Sequence, residues 1–196
     1  MKKTILSFDC ATKTFAFCLI EIDLEQVLNM ELELTSIQKC VSKFECEVHN
    51  FFPDKADKDI SILERIQAVR TYLTRFDNLD KQTRIYVEYQ MGANMKANIV
   101  ADVILTYFYD FANVKLVPPS LKNKIKLCDG GGHSDFTKKY KSNYTANKHH
   151  TTFNLNWFLT TFNINVSLKP SLVNHVADAF AQVIGMNDSK KSSHLD

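Results

Sequence analysis

Hydrophobic and polar positions change period several times along this chain, and each change marks an element. Residues 4–9 (Thr-Ile-Leu-Ser-Phe-Asp) are a short, β-prone apolar run that ends in an acid. Residues 14–22 are a second apolar run of strand length, and only Cys10 to Lys13 separates the two, so an antiparallel hairpin is expected. Residues 41–51 alternate and predict a third strand. Between them, Met30 to Leu34 reads equally as a strand or as part of a loop excursion.

The period then lengthens. Ile60, Leu63, Ile66, Val69, Leu73 and Phe76 recur at spacings of three and four, predicting an amphipathic helix over 59–76 with Asp57 and Asp59 at its N-terminus. Residues 85–88 return to strand, Lys96 to Ala112 predicts a largely buried helix, and Val114 to Val117 predicts a strand stopped by Pro118 and Pro119. Residues 120–148 show no apolar period, include Gly130 to Gly132, and predict a mobile loop. Residues 151–162 and 171–186 predict two closing helices. This order implies the α/β class: a mixed five-stranded sheet, three antiparallel strands plus parallel ones, flanked by helices. One domain over 1–187 and a polar tail over 188–196 are expected.

Composition narrows the class. A chain of 196 residues, 45% hydrophobic and 23% charged, is an ordinary soluble globular protein with room for a full core. No stretch approaches the roughly 20 apolar residues that span a bilayer, so no membrane is implied. Lys2 and Lys3 precede an apolar run, but Asp9 interrupts it and no cleavage motif follows, so an intracellular, non-secreted protein is expected. The five cysteines are odd in number and lack CxxC spacing, which argues for buried thiols rather than a disulfide framework or a zinc site. The net charge of +2 hides an asymmetry: residues 1–60 hold 7 basic and 11 acidic side chains, residues 81–150 hold 11 basic and 5 acidic. A basic half suits a polyanionic partner, although a solvated basic loop gives the same count.

The candidate chemistry lies in acids placed where acids are costly. Asp9 and Glu88 each end an apolar strand, and an unpaired buried charge costs several kcal/mol. The element order allows these two strands to be neighbours, and two close carboxylates resist full ionisation unless a cation sits between them. Hard oxygen ligands select Mg²⁺ or Mn²⁺. Asp178 lies in an apolar helix with His175 one turn earlier on the same face. Such a site supports two-metal phosphodiester hydrolysis, with one ion activating water and the other stabilising the leaving oxygen. Each residue alone also has an ordinary reading: Asp9 capping a turn, Glu88 pairing with a lysine, His175 as a satisfied helix residue.

Ser7-Phe-Asp9-Cys-Ala-Thr-Lys13, Val87-Glu88 and His175-Val-Ala-Asp178-Ala-Phe-Ala181 together resemble the acidic motifs of RuvC-type Holliday junction resolvases, in the branch found in poxviruses and other large DNA viruses. The resemblance runs from residue 4 to about 186 and implies an RNase H-like fold. It implies that Asp9, Glu88, His175 and Asp178 bind two Mg²⁺ ions, with Mn²⁺ a possible substitute. His175 stands where some members carry a fourth carboxylate, and Asn174 where viral relatives tend to be acidic. Lys148 looks like the family's lysine just before the penultimate helix, near the scissile phosphate. Lys13, Gln90, Lys138, Lys139, Lys141 and Tyr144 become candidate DNA contacts, with Tyr140 and Tyr144 available for stacking on unpaired bases. The implied function is paired nicking of four-way DNA junctions by a homodimer, in the cytoplasm, a viral factory or the nucleus of an infected cell.

Three rivals remain open on sequence: another RNase H-like nuclease acting on branched DNA or RNA–DNA hybrid, a non-catalytic junction-binding protein, and an actin-like phosphotransferase. The last lacks a second glycine-rich phosphate loop, because Gly130 to Gly132 has no following apolar helix. No small-molecule cofactor is expected.

Overall fold

A computed structural model describes residues 2–23, 40–89 and 95–188. The undecided segment Met30 to Leu34 lies outside them. Strands β1 (Lys3–Cys10), β2 (Thr14–Ile22) and β3 (Val41–Asn50) come first. Helix α1 (Ile62–Leu73), strand β4 (Arg84–Glu88), helix α2 (Met95–Tyr107) and strand β5 (Asn113–Val117) follow. Helices α3 (His133–Lys139), α4 (Asn143–Thr161) and α5 (Val173–Asp188) complete the described residues. The sheet order is β3-β2-β1-β4-β5, antiparallel from β3 to β1 and parallel from β1 to β5. This is the mixed five-stranded sheet that the patterning predicts.

The pleat sorts the side chains of β1 between two cores. Leu6, Phe8 and Cys10 bury on one face with Val69, Leu73, Val100, Ile104 and Phe108 of the α1–α2 side. Ile5 faces the other side, where Phe158 of α4 and Val176, Phe180 and Val183 of α5 cover the sheet. Ser7 and Asp9 share the parity of Ile5, so they point toward α5. Phe8 pairs in register with Val87, which leaves Asp9 and Glu88 one step further on at the same end of adjacent parallel strands.

Three local expectations need correction. Residues 120–148 are not a loop: a 3-10 turn spans Pro119–Lys124, α3 follows, and α4 starts at Asn143. Leu121, Ile125 and Leu127 anchor this stretch in the core. The first half of α4 escapes a periodicity reading because its buried side is largely polar, with His150, Thr151 and Asn154 all buried beside Ala146. Lys148 is therefore inside α4, not ahead of it. Helix α2 ends at Tyr107, before Ala112, because the chain turns there and the Ala112 amide bonds to the Lys81 carbonyl on its way into β5.

Helix α1 begins at a capping box, in which the Ser61 hydroxyl accepts from the Glu64 amide and the Glu64 carboxylate accepts from the Ser61 amide. Asp57 and Asp59 sit in the 3-10 turn before it. Gly185 of α5 has a different purpose. A Cβ there would lie 2.8 Å from the Leu121 carbonyl oxygen, so the missing side chain lets the Pro119–Lys124 turn dock against α5.

Candidate functional site

Asp9 at the end of β1, Glu88 at the end of β4 and Asp178 on α5 converge, and all three are buried. His175, one turn before Asp178, places Nδ1 3.5 Å from Asp9 Oδ2. Lys148 reaches across from α4 to ion-pair with Asp178 Oδ2. Thus the five residues singled out for chemistry stand in one cluster. Asn174 does not join them: its side-chain oxygen accepts from the Thr152 hydroxyl at 2.8 Å, between α5 and α4.

Four further members, Lys122, Thr151, Gln182 and Ser7, join the cluster in the structure. Lys122, on the Pro119–Lys124 turn, places Nζ 3.1 Å from Glu88 Oε1 and 3.1 Å from Asp178 Oδ2. The Thr151 hydroxyl donates to Asp178 Oδ1 at 3.0 Å. Gln182 donates to Glu88 Oε2 at 2.9 Å and accepts from the Ser7 hydroxyl at 2.8 Å, linking both strands to α5. Gln182 was findable in principle, since it lies four residues after Asp178 in an otherwise apolar stretch and so shares its face. Lys122 was not, because nothing in an aperiodic basic segment separates a buried lysine from solvated ones.

The electrostatics of the cluster are those of crowded acids. Burial and the charge of Asp9 push the Glu88 carboxyl up to about 8, against the pull of Lys122. Burial also pushes on Asp9, but hydrogen bonds with His175 and Glu88 and the charges of Lys122 and Lys148 outweigh it and hold Asp9 below the usual carboxylate range. Burial works against the charged form of Lys122, yet Asp178, Glu88 and Asp9 raise it well above an ordinary lysine. The excess of negative charge and the hard oxygen donors fit a divalent cation. Among the described residues, no three His, Cys, Asp or Glu side chains are arranged to hold one as they stand. A lysine ammonium lies between Glu88 and Asp178 instead.

The cluster opens into a cleft of about 390 Å³ whose lining includes Lys122, Asn123, Tyr144, Asn147 and Lys148 as well as Glu88 and Asp178. Tyr144 is 72% exposed there, with its ring 5.8 Å from Lys148 Nζ. Lys138, Lys139 and Lys141 are exposed on α3 and just after it, outside the cleft lining. Tyr140 is stacked on His149, with ring centroids 4.2 Å apart, so its face is already occupied. Lys13 sits in the β1–β2 turn, where its ammonium donates to the Lys55 carbonyl. Gln90 lies outside the described residues. A larger apolar groove of about 640 Å³ runs between α1 and α2, on the other face of the sheet, and includes none of the cluster.

No protein-family profile matches the chain, and no curated protein matches it. Solved structures do. Thermus thermophilus RuvC is 13% identical, with 97% of this chain and 96% of that one covered and a TM-score of 0.53. Fowlpox virus resolvase, solved with its substrate Holliday junction DNA, is 17% identical over 98% of this chain and 99% of that one, with a TM-score of 0.50. The yeast mitochondrial Holliday junction resolvase Ydc2 is 12% identical over 96% of this chain and 82% of that one, also at 0.50. At these identities the likeness speaks for architecture: the chain has the fold of the RuvC-type Holliday junction resolvases.

Proposed function

We propose that this protein is a Holliday junction resolvase, a metal-dependent endodeoxyribonuclease that makes paired nicks in four-way DNA junctions. The observation that carries this reading is the meeting of Asp9, Glu88 and Asp178, from two strand ends and a helix, beside two lysines at the floor of an open cleft. Asp9, Glu88 and Asp178, with His175, are the residues that would hold divalent cations, Mg²⁺ or Mn²⁺ in its place. Such cations supply Lewis acidity and a water of lowered pKa. Hydrolysis breaks the P–O3′ bond and leaves 5′-phosphate and 3′-hydroxyl ends. Lys148 stabilises the negative charge that develops on the phosphoryl oxygens. Lys13, Lys138, Lys139 and Lys141 hold the DNA backbone without reading sequence, and Tyr144 at the cleft mouth stacks on an unpaired base. Gln90 belongs to the same proposal on sequence grounds. The chain acts as one nuclease domain, and two copies pair through the apolar groove between α1 and α2, presenting two sites to a two-fold junction.

One observation favours a second reading. The Lys122 ammonium already compensates Glu88 and Asp178, as it would in a junction-binding protein that needs no cation. Nicking of a synthetic immobile four-way junction beside a matched linear duplex, with Mg²⁺, Mn²⁺ or EDTA, separates the two. Metal-dependent symmetric cuts near the crossover support the resolvase. Tight junction binding without cuts under either metal supports the binder. In the resolvase case, Asp9→Asn lowers nicking at least ~100-fold, about 2.7 kcal/mol of barrier, while junction binding persists. Full cleavage by that variant would remove Asp9 from the site.

A further inference from the structure

The acidic cluster contains a cation of its own. Lys122 has a side chain only 13% exposed, and its Nζ is equidistant, at 3.1 Å, from carboxylate oxygens of Glu88 and Asp178. Those two acids come from a strand end and a helix, so a charge shared between them ties two elements together. The lysine is held there by its backbone. It belongs to the 3-10 turn Pro119–Lys124, which is docked on α5 at Gly185 with no room for a Cβ. Lys148 is different in kind. Among the described residues its one ion pair is with Asp178; it is more exposed at 21%, and lies beside Tyr144 at the open side of the cleft.

The charges of the cluster then set a limit. With every ligand in the form that binds a cation, Asp9, Glu88 and Asp178 carry three negative charges against the two positive ones of Lys122 and Lys148, and a ligating imidazole of His175 adds none. One divalent ion takes the sum from −1 to +1. A second would take a largely buried group of side chains to +3, with like charges a few Å apart in a medium that screens poorly. A cation beside Asp9 and His175 meets a smaller obstacle, since among the described residues the lysines act on Asp9 from beyond ion-pair distance.

We propose that Lys122 serves as the resident second cation of this cluster in the DNA-free protein. The free site takes up one divalent ion, on the side of Asp9, Glu88 and His175. The position between Glu88 and Asp178 stays filled by the lysine. The inference rests on the metal-dependent reading above and fixes the stoichiometry of that same site.

The test counts ions rather than products. Metal-free, full-length protein is titrated with Mn²⁺ in the absence of DNA, and free Mn²⁺ is followed by its electron paramagnetic resonance signal. Wild type is expected to bind one ion per chain in the tight phase. Lys122→Gln and Lys122→Met are expected to bind two, with the second site tightened roughly tenfold or more. Lys122→Arg, which keeps the charge, is expected to remain at one. Circular dichroism confirms that each variant is folded, and the wild-type count tests the proposal even if the uncharged variants are not. Two tight ions in wild type, or one in a folded Lys122→Gln, overturns the role of Lys122 while leaving the nuclease reading in place. No bound Mn²⁺ at all overturns both. One ion in wild type and two in Lys122→Gln, without any junction nicking, upholds the lysine's role and rejects the nuclease.

Discussion

At the scale of single residues, the site follows from where polar atoms can be satisfied inside an apolar core. Ser7, Glu88 and Gln182 form a buried relay in which the amide of Gln182 spans a hydroxyl on β1 and a carboxylate on β4. Replacing Gln182 by Leu strands the Ser7 hydroxyl and leaves Glu88 Oε2 to Lys122, 3.2 Å away, and an unsatisfied buried group costs about 1–3 kcal/mol. Urea denaturation should show that loss for Gln182→Leu, and the double variant Ser7→Ala/Gln182→Leu should regain part of it. Strict additivity of the two single variants would mean that the relay is not coupled. The acids were legible in the sequence because a carboxylate closing an apolar strand demands compensation. Lys122 was not, since its burial comes from a turn docking on Gly185, a contact between residues 64 positions apart in sequence.

At the scale of elements, hydrophobic period located the strands, α1 and α5, because each buries apolar side chains on a regular face. It failed for the start of α4, which buries His150 and Asn154 against the preceding segment and Thr151 against Asp178 of α5. Their compensation is specific: Asn154 bonds to the Leu127 amide and the Gly131 carbonyl, and His150 Nε2 to the Ile125 carbonyl at 2.9 Å. A polar face of this kind ties helix to chain but leaves no trace in hydropathy. It also makes α4 sensitive to acid. Burial lowers the pKa of His150 despite its bond to the Ile125 carbonyl, with nearby His133 adding to the fall. A histidine depressed in the folded state gives stability that is present above the unfolded value of ~6.5 and is lost as pH falls through the folded one. Thermal midpoints should therefore decline more between pH 7 and 5 for wild type than for His150→Asn, which carries no titrating ring. Parallel declines would remove His150 as the acid-sensitive anchor.

At the scale of the whole molecule, the sheet separates two tasks. The face under α4 and α5 holds the acidic cluster and its cleft, while the face under α1 and α2 presents the apolar groove with Ile62 and Tyr109 exposed at 59% and 80%. The apolar character of α2 was visible in the sequence, but the groove was not, because it needs α1 laid alongside. If two copies pair through that groove, it can be broken without touching the cluster on the opposite face. The double variant Ile62→Glu/Tyr109→Glu places like charges where two apolar surfaces would meet, and sedimentation should report a monomer where wild type is a dimer. Its divalent-ion count should be unchanged, which shows that the site is intact. On a four-way junction the variant should still make a first nick but lose the coordinated second one, so nicked junctions accumulate in place of resolved duplexes. A variant that stays dimeric, or a monomer that still cuts both strands in concert, would place the pairing surface elsewhere. The separation of faces is what makes this outcome informative, since a defect in chemistry would lower both nicks together, whereas a defect in pairing removes only their coordination.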